Sequence, residues 1–413
     1  MRYGLFYWRA DSWLYFWRHR LLHFERRPAQ HASPMDSHRH RNDRVCLFFY
    51  KSPLALGYRD WTCRSCIPDA LKRFCVYTEI MKTLLLVLLL TLPAHAASSY
   101  QPADTIAIGG TGGWDYVTID SVARRLYLAQ ATRVVVVDID HGKIVGEISP
   151  TLGVHGVAVA PDLKRAYTSN GKENSISVVD LNTLKILGKI SVGENPDAIV
   201  YDSGQKEIYA FNGKSKAVSI ISADTGKVMA TVALPGKPEF ATVDPVAHRV
   251  FVDIEDQNEV IALDTLSHQI VATWHVSPGE EPSALSINVR RHLLFVGCGN
   301  QKMVVLDSVS GKVVSNYAIG KGVDATAFDP QLGLVFSSNR EGTVTIAHED
   351  SSHQFSPVQT LKTQMGARTM ALDTKSHRIY LPAAEMKPPG PGEKRPSVVP
   401  GTLKLLVYTY ADR

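Results

Sequence analysis

Seven polar residues stand at matched places along the chain: Asp115, His155, Asp197, Glu239, Ser283, Asp324 and Arg368, separated by 40, 42, 42, 44, 41 and 44 residues. Each directly precedes a short apolar stretch, so whatever element orients one copy orients all seven. Gathered in one place, four carboxylates and an imidazole have two chemistries open to them. They offer oxygen ligands to a hard divalent cation such as Ca2+, with Asp197, Glu239 and Asp324 the expected donors, or they surround a cationic small molecule. Arg368 opposes part of that charge or anchors a substrate carboxylate. Trp114, next to Asp115, closes a glycine-rich stretch from Gly109 to Gly113 whose flexibility would present the indole to a ligand. Alternatively, the indole plugs the first and last repeats together. The stretch is no phosphate cradle, because no Lys-Ser/Thr follows it and no helix opens after it.

The elements that must position these residues are written into a phrase of roughly 42 residues recurring seven times between Thr105 and Tyr410. Within each copy, apolar runs of four to six residues rich in Val, Ile, Tyr and Phe are broken by Gly, Asn, Asp or Pro, which is strand-and-turn grammar without a helical period. The copy from Val154 is typical: VHGVAVA, a turn on Pro161 and Asp162, RAYTSN, a turn through Gly171 to Asn174, SISVVD, a turn at Leu181 to Thr183, then KILGKISVG. Each copy is therefore expected to be a four-stranded meander. One such sheet cannot bury both faces, so neighbours must stack, and radial stacking of four-stranded units of this length makes an all-β, seven-bladed β-propeller with antiparallel blades.

The ends of the array predict how the ring shuts. An orphan strand, Thr105 to Gly109, precedes the first copy, and the chain stops just after a third strand, Leu403 to Tyr410. Pairing the two completes the last blade and removes an exposed edge. In this topology the loop leading into each innermost strand lies on the same face as the loop joining the second and third strands. The seven polar residues are then expected around one axial mouth, where a wet channel opening would carry polar side chains whatever it binds.

Upstream, residues 81–96 read MKTLLLVLLLTLPAHA, the pattern of a secretory signal peptide, with an apolar run far short of the roughly 20 residues that span a bilayer. Residues 1–80 hold four of the six Trp (Trp8, Trp13, Trp17, Trp61), four of the five Cys (Cys46, Cys63, Cys66, Cys75) and no turn grammar. They read as an over-extended reading frame ahead of a start at Met81, or as a disordered basic leader. Cys63 and Cys66 have metal or redox spacing without a second such pair. The propeller, 97–413, then carries 30 Lys+Arg against 33 Asp+Glu and the single Cys298. It is expected to have no internal disulfide and no basic field of the kind nucleic-acid binders show. Cys298 is expected to be a small semi-buried thiol.

The phrases AVAPDLKRAYTSNGKENSISVVDLNTLKIL and AIVYDSGQKEIYAFNGKSKAVSIISADTGKVMATV resemble the YVTN-type repeat of secreted bacterial β-propellers, the YncE-like family. The resemblance covers nearly all of 105–410. It departs from the pattern at Ile254, Cys298 and Ala383, where Asn is absent, and in the first and sixth copies, which lack the leading Pro. What it implies is export to the periplasm or beyond and a binding or scaffold role, with single-stranded DNA binding known in the family.

No catalytic motif stands out. The His of the propeller are scattered, and His248, His292 and His377 occupy a recurring turn on the opposite face. Asn170, Asn212 and Asn339, which end second strands, are expected to form turns by bonding to backbone. The hairpin loop 385–396, rich in Pro and Gly, is expected not to pair and to arch over or beside the channel, as a partner contact or an inert loop. Three functions follow from these readings. The leading one is a non-enzymatic, monomeric exported propeller that binds a protein partner or small ligand at its channel face, with no membrane span once the signal is removed. The second is a calcium-dependent hydrolase of the lactonase type. The third is a single-stranded DNA binder using Lys214, Lys216, Lys237 and Lys321, which the acidic balance disfavours.

Overall fold

The computed structural model describes residues 98–350, 354–389 and 396–411; the expected signal segment and the residues before it lie outside these. Seven four-stranded antiparallel sheets stand as blades around an axis. The inner strands are Trp114–Asp120, Val154–Ala160, Pro196–Asp202, Pro238–Asp244, Pro282–Asn288, Val323–Asp329 and Ala371–Asp373, and each packs on the next until the seventh meets the first.

The packing that holds the blades together repeats as the sequence does. One aromatic side chain from each second strand, Tyr127, Tyr167, Tyr209, Phe251, Phe295, Phe336 and Tyr380, is wholly buried between neighbouring sheets. Each wedge contributes about 1.5–3 kcal/mol by leaving water. At the far face, the residue opening each second strand is preceded by one in the left-handed region: Arg124, Lys164, Lys206, His248, His292, Gly333 and His377, with φ between 52° and 64°. His248, His292 and His377 are thus members of a turn series. The turns are capped from below by side chains such as Asp120, Asp244 and Asp329, each accepting N–H bonds from residues two and three further on.

The ring closes as the chain ends predict, with Ser99–Ala107 pairing antiparallel to Lys404–Ala411 as the outer strand of the seventh blade. The paired strand begins six residues before Thr105 and ends two before Gly109. Its early part, SYQPAD, lacks an apolar run, and Pro102 is tolerated because this is an edge strand with a bulge between Pro102 and Asp104. Ile106, Ile108 and Trp114 pack on Leu403, Leu405 and Val407, and Arg124 of the first blade reaches the buried Asp373 of the seventh at 2.8 Å.

Three other expectations change. Asn170, Asn212 and Asn339 are buried, and their amides donate to hydroxyls across the hairpin (Ser175 and Ser177, Ser219, Thr343 and Thr345) and not to backbone, because the third strands supply Ser or Thr opposite them. The 385–396 loop does pair at its base, Met386–Lys387 with Ser397–Val398, before Pro388 stops the ladder; residues 390–395 lie outside the described residues. Cys298 is fully buried, and burial pushes its thiol up to about 12. Among the described residues no helix is long and apolar enough to cross a membrane.

Candidate functional site at the channel mouth

A backbone irregularity aims six of the seven candidate side chains. In six blades the pairing of the inner strand with the second strand slips just after its first residue, between Trp114 and Val117, Val154 and Val157, Pro196 and Ile199, Pro238 and Ala241, Pro282 and Ala284, and Val323 and Ala325. Asp115, His155, Asp197, Glu239, Ser283 and Asp324 sit in these bulges, freed from the ladder. Side chains from the second strand hold the bulged backbone. Ser169 accepts from Gly156 N–H at 2.9 Å and donates to Asp197 C=O of the next blade at 2.6 Å. Ser338 likewise donates to Arg368 C=O. Asp253 occupies the equivalent place in the fourth blade and accepts from Phe240 N–H at 2.5 Å.

Around the mouth six of the seven candidates sort into three groups. Asp115 Oδ2, His155 Nδ1 and Asp197 Oδ1 come from blades one to three, with Nδ1 2.7 Å from the first oxygen and 3.5 Å from the second. Glu239 is ion-paired to Lys237 at 2.6 Å, and Lys237 also reaches Glu255 at 2.5 Å. Arg368 Nε donates to Asp324 Oδ2 at 2.5 Å, and Arg340 approaches the same oxygen at 3.7 Å. Ser283 donates to Val323 C=O at 3.2 Å. The expected calcium donors Asp197, Glu239 and Asp324 are therefore each held by a different partner. Trp114 is buried in the closing seam, its ring 5.5 Å beneath the Arg368 guanidinium, which also donates to its carbonyl at 3.0 Å. The glycine-rich stretch does not present it to solvent.

Burial and charge set the ionisation. Burial raises Asp197 to about 7, with the neighbouring carboxylates of Asp115 and Glu239 adding and His155 opposing. Burial alone would lower His155, but its hydrogen bond to Asp115 and the surrounding carboxylates outweigh that and hold it at about 9. Glu239 and Asp324 are also raised, chiefly by burial, against the pull of Lys237 and Arg368. Low dielectric at the mouth thus favours shared protons and ion pairs over free carboxylates.

Sequence reasoning missed the residue that floors this mouth. The place after each ring residue is small in Gly156, Ala198, Ala284, Ala325 and Thr369 but aromatic in Tyr116 and Phe240. Tyr116 crosses from the first blade to the fourth, donates to Glu239 C=O at 2.8 Å and meets Phe240 edge-on, centroids 5.1 Å apart. Two large rings in an otherwise small register position were the available signal. A cavity of about 320 Å³ adjoins this crossbar, with walls from Val157, Ile199, Val200 and Val243 and hydroxyls from Thr118, Thr242 and Thr369.

No protein-family model and no curated protein matches the chain. Solved structures of similar fold do. A chain of hydrazine synthase from Kuenenia stuttgartiensis shares 17% identity at a TM-score of 0.60, covering 66% of this chain and 92% of its own. A chain of the mitotic checkpoint complex shares 13% at 0.64, covering 77% and 94%. The WD40 repeats of RRP9 share 9% at 0.65, covering 76% and 100%. At these identities the likeness establishes the propeller fold alone.

Proposed function

We propose that the protein is an exported, non-enzymatic propeller of the YVTN-repeat kind that binds a small polar ligand at its channel mouth. A propeller is in general a binding scaffold, and one of similar fold belongs to the mitotic checkpoint complex. The observation that carries the reading is convergence: one ring residue per blade surrounds a single mouth beside a 320 Å³ cavity, a volume at the small end for ligand sites. The mouth sets carboxylates beside cations, and Arg340, more than half exposed and 3.7 Å from Asp324, is the cation left most available to a ligand, which suits a molecule bearing both charges. Residues 81–96 support export.

The chemistry of turnover finds less support. Ser283 donates to a carbonyl and has no imidazole partner among the described residues, and Cys298 is buried and hard to ionise. A calcium hydrolase needs six to eight free oxygens, whereas Glu239 and Asp324 are committed to Lys237 and Arg368. For a nucleic-acid groove, Lys216 and Lys237 are already paired with carboxylates. Melting of the chelator-treated protein against a panel of small zwitterions, amines and carboxylates tests the proposal. A ligand at 100 times its Kd adds about 2.7 kcal/mol of stability. That shift should vanish in Arg368→Gln and Tyr116→Ala; a shift retained in both variants would place the ligand elsewhere and overturn the reading.

A further inference from the structure

We propose that Asp115, His155 and Asp197 form a site for one divalent cation of the zinc type, a use of the mouth that goes beyond small-ligand binding and does not depend on it. Three observations converge. The first is spacing: Nδ1 of His155 lies 2.7 Å and 3.5 Å from one oxygen of Asp115 and of Asp197, and all three atoms fall within 4.8 Å of one another. Bonds of about 2.0–2.2 Å to zinc imply ligand–ligand separations of about 3–3.5 Å, which the His155–Asp197 pair already has and the hydrogen-bonded His155–Asp115 pair would reach by opening slightly.

The second is charge. Elsewhere in the ring each carboxylate faces a permanent cation, Lys237 for Glu239 and Arg368 for Asp324. Among the described residues no Lys or Arg bonds to Asp115 or Asp197, and the two share one imidazole. A divalent ion that displaces the proton on His155 Nδ1 would set two positive charges against these two carboxyls, where the other groups have Lys237 or Arg368.

The third is preorganisation. A Cβ at Gly171 would lie 2.6 Å from His155 Nε2, so this glycine lets the ring seat with its Nε2 edge against the turn and its Nδ1 edge toward the carboxylates. Both acids are pinned through their carbonyls, Asp115 by Thr369 at 3.0 Å and Asp197 by Ser169 at 2.6 Å. Ligands held this way bind metal more tightly than mobile ones. All three side chains remain partly open to solvent, at 26%, 26% and 14%, so an ion can reach them. An imidazole with two carboxylates suits a borderline ion such as Zn2+ over Ca2+, and three protein donors leave a position for water.

Calorimetry of the chelator-treated full chain with Zn2+ alone and with Ca2+ alone tests this. One Zn2+ per chain is expected, at least tenfold tighter than Ca2+, and weakened at least tenfold in His155→Gln and in Asp197→Asn. His275→Gln, which removes an exposed imidazole beside Glu259, should leave it unchanged. Should a ring variant fail to fold, Co2+ added to the unaltered protein gives a second readout: a visible absorption band abolished by one equivalent of Zn2+. Absence of both heat and band, zinc binding unchanged in both ring variants, or Ca2+ binding as tightly as Zn2+ would each overturn the proposal. The ligand reading is tested in metal-free buffer and stands or falls separately.

Discussion

Asp253→Ser should stabilise the protein at neutral pH and lose that advantage in acid. Asp253 is fully buried, one oxygen accepts from Phe240 N–H at 2.5 Å, and the other has no partner among the described residues. Burial raises its pKa well above the usual carboxylate range. The folded state therefore keeps a proton that the unfolded chain, with a value of about 3.9, releases, so stability falls as pH rises between the two values. Each unit in that window costs about 1.4 kcal/mol. Serine is what the same register position holds in the second and sixth blades, where Ser169 and Ser338 donate to the following blade's carbonyl. Between pH 4.5 and 6.5 the variant should gain stability relative to the parent for as long as the folded carboxyl keeps its proton. The smaller side chain subtracts a constant cavity cost of about 0.5–1 kcal/mol at both pH values. Urea unfolding at the two pH values measures the difference. A gap between variant and parent that does not change with pH would show that Asp253 is ionised in the folded protein and would refute the argument.

Other outcomes follow from single contacts. Ile106→Ala, in the strand that shuts the ring, should cost about 2–4 kcal/mol, read as a lower urea midpoint; a neutral result would mean the seam does not share the fold's cooperativity. Tyr116→Phe removes the hydrogen bond to Glu239 C=O and should cost about 0.5–1.5 kcal/mol by the same assay, with no loss expected if the crossbar bond is absent in solution. Cys298, buried and with its thiol raised to about 12, should resist a thiol reagent until urea unfolds the protein; rapid labelling in native buffer would contradict its burial. Phe336→Ala, one of the seven wedges, should cost about 3–5 kcal/mol, checked by thermal melting.

The sequence alone determined the blade count, the strand order within each blade and the pairing of the two ends of the repeat array, because each is carried by local periodicity repeated at a constant interval. Seven copies of one phrase average out the ambiguity of any single short strand. What the chain could not disclose was which mouth residues pair with which. The grouping of Asp115, His155 and Asp197, the claim of Lys237 on Glu239 and the reach of Arg368 to Asp324 depend on the angle between blades and on side-chain rotamers, contacts made across intervals of 40 residues or more in two of the three groups. Tyr116 is the clearest case. Its position in the register was legible, but its role as a bar across the axis exists only once the ring has closed and set the first blade opposite the fourth.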